Sequence, residues 1–278
     1  MASESPSQVK SAAVVVPLHR LPLTEDEEVS LRVLRKVLGK HPRFFVVPSG
    51  MAVPAEFLQG ESVVRFPARY FTYPYGYNRL LMSACFYNGF RRFSHMLVYQ
   101  LDCLVFRDEL DLWCSRNYDY IGAPWLENAA GKPGDGREWK VGNGGFSLRK
   151  VSTARAVLAK RVKRGSLFPI PPIHLPGPDF SGWLITNCRK RIKQHLGLWT
   201  VAEELDNYGE NEDRFWALDV LRIAKEYAKP PVDEALRFAF EVEPRLCFER
   251  TQGLLPFGCH AWAKHDRAFW ETVPQDVT

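Results

Sequence analysis

At 278 residues, 46% hydrophobic and 25% charged, the chain has the balance of one embellished globular domain whose core needs no disulfide or metal staple. Its formal net charge of +5 suits a phosphate-bearing ligand or an anionic membrane surface and does not by itself point to nucleic acid. The cysteines Cys85, Cys103, Cys114, Cys188, Cys247 and Cys259 form no Cys-x-x-Cys pair, which excludes a zinc-finger framework and predicts buried thiols in a reducing compartment.

Residues 1–11 are small and polar and read as a disordered tail. They contain no signal-peptide core, and no apolar run approaches the ~20 residues of a membrane span. The sequence therefore reads as cytoplasmic, with any membrane association peripheral. Ala12–Pro17 is a continuous apolar run, a buried parallel strand. Thr24 followed by Glu25, Asp26 and Glu27 starts a helix, carried on by Val29, Val33, Leu34, Val37 and Leu38 and stopped by Gly39. Phe44–Pro48 is the next buried strand, and this βαβ opening predicts an open parallel sheet.

Residues 70–89 predict a loop and a helix through Leu80, Leu81, Ala84 and Cys85. Met96–Tyr99 and Leu104–Phe106 read as strands, Asp108–Trp113 as a short helix, and Tyr118–Gly122 as leading into a turn at Pro124. Residues 129–137 read as a mobile Gly-rich loop. Val141–Leu148 is a Gly-rich strand and turn, Ser152–Lys163 a basic helix, and Ser166–Gly182 an irregular Pro-rich excursion. Glu210–Tyr227 predicts a late helix, and Phe238–Phe240, Leu246–Phe248 and Pro256–His260 predict strands.

Four constellations carry candidate chemistry. Gln100 and Asp102 follow an apolar strand, where α/β sheets bind ligands; a carboxylate there can hold a divalent cation, or simply cap a turn. In Val141–Arg149, three glycines around Asn143 permit positive φ and close approach of backbone to a sugar or phosphate, with Gly144 and Gly145 as pocket candidates; a bulged turn is the alternative. Glu212 and Asp213 open a helix, where the dipole stabilises them, and either can serve as a general base. His260, beside glycine and aromatics, and His19, after the first strand, are each a metal ligand, a loop donor or a structural histidine.

Taken together, Tyr99–Asp102, Leu104–Leu110, Tyr118–Trp125 and Val141–Arg149 resemble a family of glycosyltransferase-like domains of bacteria and fungi, long catalogued as of unknown function, and the order of elements resembles that of GT-A glycosyltransferases. The resemblance runs from about Tyr77 to Trp262. It implies one α/β GT-A domain over residues 12–270, with a mostly parallel central sheet flanked by helices. The nucleotide-binding half would cover residues 12–125 and the acceptor and catalytic half residues 126–270. It also implies a UDP- or GDP-type nucleotide-sugar donor, a glycan or glycoconjugate acceptor, and no nucleic acid. Asp102 matches the last position of Asp-x-Asp, which ligates Mn²⁺ or Mg²⁺, while Gln100 replaces the first Asp. His260 matches the late metal-ligating His. Asp213 matches the base of inverting members, with Glu212 as the fallback. Pro17 and His19 would join Gln100, Asp102, Asn143, Gly144 and Gly145 around the donor. The rival is a non-catalytic sugar- or nucleotide-binding module of the same fold, which Gln100 favours. The basic runs Lys160–Arg164 and Arg189–Arg191 read as solvated surface.

Overall fold

The structure, a computed structural model, describes residues 10–72, 75–128, 137–168, 188–189 and 191–273. Most of the predicted tail, the Gly-rich loop from 129, the Pro-rich excursion beyond 168 and Lys190 lie outside the described residues. A six-stranded sheet runs in the order β3-β2-β1-β4-β9-β6. Its strands are β1 (Lys10–Pro17), β2 (Arg43–Pro48), β3 (Ser62–Phe66), β4 (Phe93–Tyr99), β6 (Tyr120–Gly122) and β9 (Phe146–Lys150). β1 begins inside the expected tail. The pairs β1/β2, β1/β4 and β2/β3 are parallel, whereas β9 runs antiparallel to both β4 and β6.

Strand alternation divides the core between the two faces of this sheet. Ala12, Val14 and Val16 pack with Phe45, Leu97, Tyr99, Phe146 and Leu148 on one face. Ala13 and Val15 pack with Val46, Met96, Val98 and Tyr120 on the other. Both faces of β1 and β4 are covered, so these strands read as unbroken apolar runs rather than alternating ones. Helix α1 (Glu25–Val37) covers the first face. Its capping box is complete: the Glu27 amide donates to Thr24 Oγ1 (3.3 Å) and the Thr24 amide to Glu27 Oε2 (2.7 Å). The second face is covered by α2 (Gly76–Leu81), α3 (Ala84–Gly89), α5 (Val151–Ala159) and, after the four-residue α6 (Val201–Glu204), by α7 (Glu212–Ala217).

Several elements differ from expectation. The helix expected near Leu80 is two helices, because the Ser83 hydroxyl caps a second start by accepting from the Phe86 amide at 3.3 Å. The helix α4 spans Leu110–Ser115. Pro124 opens no turn: it starts β7 (Pro124–Asn128), an antiparallel hairpin with β8 (Arg137–Val141). The predicted helix 210–227 breaks at Leu218 (φ −126°, ψ −57°) after only one and a half turns. Leu246–Phe248 lies in helix α9 (Pro244–Arg250), where Pro244 sits at the N-terminal turn and needs no amide partner. Helix α8 (Val232–Phe238) precedes it and α10 (Arg267–Glu271) follows. Of the cysteines, Cys85 and Cys188 are exposed rather than buried.

A second, three-stranded sheet decides where the chemistry sits. β10 (Ala239–Phe240) pairs parallel with β11 (Gly258–Cys259), and β11 pairs antiparallel with β5 (Leu104–Val105). The residue after β10 is Glu241, the residue after β11 is His260, and Asp102 lies just ahead of β5. The strand directions bring all three to the same end of that sheet.

Candidate active site

In the main sheet the chain leaves β1 toward β2 on one side, and β4 lies on the other. The carboxyl ends of β1 and β4 therefore flank a topological switch point, where open α/β sheets leave a crevice. A cleft of about 410 Å³ opens there, lined by Pro17, His19, Arg20, Phe71, Tyr77, Gln100 and Asp102 among others. A second cleft, about 560 Å³, is lined by Trp125, Asn143, Gly144, Gly145, Glu210, Asp213, Arg214, Glu241 and His260. Tyr77 and Gln100 line both. The two clefts thus meet over the end of β4. The first gathers Pro17 and His19 with Gln100 and Asp102; the second gathers Asn143, Gly144, Gly145, Glu212, Asp213 and His260.

The junction is built around the His260 imidazole. Its Nδ1 lies 2.8 Å from Glu241 Oε1, and its Nε2 lies 3.3 Å from Asp102 Oδ1 and 3.1 Å from Gln100 Oε1. Gln100 in turn donates through Nε2 to the Tyr77 hydroxyl at 3.2 Å. Burial opposes charge on His260, yet its hydrogen bonds to Asp102 and Glu241 outweigh that and push it up to about 10. Burial likewise acts against the Asp102 anion, and the His260 bond still holds its carboxyl below the usual carboxylate range. Glu241 Oε2 is buried with no hydrogen-bond partner among the described residues.

This donor set fits a hard divalent cation. Glu241 ties down Nδ1 and turns Nε2 toward Asp102, the arrangement by which a second carboxylate orients a metal-binding histidine. One carboxylate, one amide oxygen and one imidazole nitrogen then converge, and Asp102 is 48% exposed to the cleft. Cys103 Sγ also lies within 4.8 Å of these groups. Burial pushes its thiol well up, and it donates to the Gly145 carbonyl at 3.4 Å. A neutral, committed thiol is a poor partner for Mn²⁺ or Mg²⁺.

The Gly-rich strap holds this site together differently from the sequence expectation. Positive φ falls on Asn143 (φ +30°), not on its glycines. Asn143 is 3% exposed; it donates to Glu241 Oε1 (2.7 Å) and accepts from the Phe146 amide (3.1 Å). The glycines instead make room for side chains. A Cβ on Gly145 would overlap His260 Nε2, and one on Gly144 would overlap Glu212 Oε1.

The two adjacent acids of α7 have different surroundings. Glu212 is buried and grips Arg149 with both oxygens (2.8 and 2.9 Å). Arg149, 1% exposed, also donates to the Tyr87 hydroxyl (3.2 Å), Ser147 Oγ (3.0 Å) and the Gly144 carbonyl (3.3 Å). Glu212 is thus engaged by Arg149, 63 residues away in sequence. Asp213 is half-buried in the second cleft, and the Arg214 amide donates to its Oδ1 at 2.8 Å. Burial pushes the Asp213 carboxyl up, against the pull of that amide and of Arg149. Burial thus works against the helix dipole expected to keep Asp213 ionised, and the helix it opens has only six residues.

The sequence singles out neither Glu241 nor Tyr77, and it gives Arg149 no role. Elsewhere, Lys160 donates to the Ile223 carbonyl (2.5 Å), Arg164 stacks over Trp199 (5.4 Å), and Arg189 and Arg191 are exposed. Among the described residues no helix is long and apolar enough to cross a membrane.

Residues 61–260 match the family described as "Protein of unknown function (DUF5672)". No curated protein matches the sequence. Solved structures similar to this chain include the glycosyltransferase GlyE of Streptococcus pneumoniae TIGR4, at TM-score 0.41 and 11% identity over 96% of this chain. The chain spans 62% of the length of that protein. Mouse xyloside xylosyltransferase 1 is similar at TM-score 0.44 and 9% identity, covering 90% of this chain and 97% of its own. Core-mannan synthase A of Aspergillus fumigatus, in an Mn/GDP form, is similar at TM-score 0.38 and 11% identity, covering 76% and 73%. Likenesses this remote assign no activity.

Proposed function

The chain belongs to the family described as Protein of unknown function (DUF5672), and we propose that it is a glycosyltransferase of the GT-A kind, moving a sugar from a nucleoside-diphosphate donor to an acceptor hydroxyl with inversion. The observation that carries this reading is the Asp102–His260–Gln100 cluster where the two clefts meet. The cleft beside Pro17 and His19 has the position and size for the donor nucleotide. A divalent cation bound at the junction would neutralise the leaving diphosphate. Asp102 and His260 Nε2 would hold that cation, which must displace the Nε2 proton as it binds, and Gln100 Oε1 would stand where a carboxylate is otherwise expected. Glu241 keeps the imidazole turned.

In the second cleft Asp213 accepts the proton of the incoming hydroxyl. A carboxyl raised by burial is a stronger base than a solvated one, which suits that task. Glu212 cannot share it, because both its oxygens are committed to Arg149. The Arg149–Glu212 pair instead fixes the Gly144 end of the strap and the first turn of α7, and so sets where Asp213 stands.

Gln100 supports a second reading, a sugar- or nucleotide-binding module without turnover, since it removes one negative charge from the cation site. The test is incubation with a panel of UDP- and GDP-sugars and Mn²⁺, following release of free UDP or GDP. Release dependent on Asp102 supports the enzyme; tight binding without release supports the module.

A further inference from the structure

The second cleft contains an aromatic surface that neither cation binding nor proton transfer uses. The indole of Trp125, on β7, lies against Gly142, where a Cβ would overlap ring atoms Cδ2, Cε3 and Cζ3. Trp125 is half-buried and lines the cleft shared by Asp213, Glu210, Asn211 and Arg214. The strap sets the spacing. Gly142 carries the indole, and Gly144 abuts Glu212 and the Asp213 Cβ. Two residues of chain span at most about 7 Å, a distance of the order of one sugar ring.

A pyranose has a face of C–H groups that packs on an aromatic plane and a rim of hydroxyls that needs donors and acceptors. The cleft offers both: the Trp125 indole as the plane, and Glu210, Asn211 and Arg214 at the rim. A peptide hydroxyl needs no such plane, and a lipid alcohol has no use for such a rim. We propose that Trp125 is the platform of an acceptor subsite that takes a pyranose ring, so that the acceptor is a saccharide. The proposal rests on the glycosyl-transfer reading for the chemistry done on the bound sugar, but not for binding itself.

The test is saturation-transfer NMR on the full chain with methyl gluco-, galacto-, manno- and xylopyranosides. Wild type, Trp125→Ala, Trp125→Leu and Trp125→Phe are compared, with UDP and GDP plus MnCl₂ titrated into the same samples. We expect at least one pyranoside to bind wild type through one C–H face. Trp125→Ala should weaken it about tenfold and Trp125→Phe much less. Nucleotide binding reports the donor reading separately. If sugar binding depends on Trp125 while neither nucleotide binds, the subsite stands and the transfer reading fails. If no pyranoside binds wild type, or if folded Trp125→Ala or Trp125→Leu binds the pyranoside as well as wild type, the subsite is wrong. Trp125→Leu, which fills the space without an aromatic plane, keeps the test decisive should the alanine variant fail to fold.

Discussion

Replacing Gly145 by alanine is predicted to disable the cation site while leaving the fold standing. The added Cβ would overlap His260 Nε2 and stand 2.8 Å from Gln100 Oε1, where non-bonded heavy atoms settle at about 3.5 Å. The imidazole must retreat by about 1 Å, a displacement that can cost an active site on the order of 10²-fold. That movement breaks the 3.3 Å approach to Asp102 and strains the 2.8 Å bond to Glu241. Both clashing groups are side chains at a cleft wall, so the overpacking should cost only about 1–3 kcal/mol of stability. Gly144→Ala is the contrast. Its Cβ would overlap Glu212 Oε1 and lie 3.2 Å from Arg149 Nη2. Forcing a buried ion pair apart costs about 3–5 kcal/mol. Calorimetric titration with MnCl₂ and UDP or GDP, beside urea unfolding, separates the two. Wild-type Mn²⁺ affinity in Gly145→Ala, or equal unfolding midpoints for the two variants, would refute the reasoning.

Asp102→Ala should remove Mn²⁺-dependent nucleoside-diphosphate binding, and Glu241→Gln should weaken Mn²⁺ affinity about 10–100-fold through His260 alone; unchanged titrations would make the cluster structural. Asp213→Asn should keep donor affinity and melting temperature and lose at least about 10²-fold in transfer, whereas Glu212→Gln should unfold earlier in urea. Transfer at the wild-type rate by Asp213→Asn removes the inverting mechanism. His95 supplies a pH prediction: burial, helped by Lys150, pushes its imidazole down to about 4, so it folds in neutral. The unfolded chain takes up that proton first as pH falls, so this contribution is complete above about pH 6.5 and declines toward pH 4. The decline is about 1.4 kcal/mol per pH unit and about 3 kcal/mol in all. Urea unfolding of His95→Gln at pH 7 and pH 4 should show that much less acid sensitivity than wild type, and equal sensitivity would place the effect elsewhere.

The N-terminal half was legible where the signals are local. The apolar run of β1, the Thr24–Glu27 box and the run of β2 each fix an element within a few residues of chain. Local signals failed where packing decides. Leu246-Cys247-Phe248 looks like a strand, but only Cys247 of the three is buried, and the chain there turns as a helix behind Pro244. The run from Glu210 to Tyr227 has helical spacing, yet Trp216 donates to the Leu81 carbonyl at 3.0 Å while Val220, Ile223 and Tyr227 also reach the same core. The helix breaks at Leu218 between them.

The candidate site divides along the same line. Asp102, His260 and the strap stand at strand ends, so sequence order alone could nominate them. Glu241 could not be nominated, because its partner His260 is 19 residues away and meets it only through the pairing of β10 with β11. Arg149 did leave a trace. In β9, Phe146 and Leu148 face one core cluster, so period-two alternation turns Ser147 and Arg149 toward the opposite, equally apolar side. An arginine turned into a core demands a buried carboxylate. Of the two acids that open α7, the one supplying it forfeits any part in proton transfer. Glu212 supplies it, and that leaves Asp213 as the acid of α7 free to face an acceptor hydroxyl.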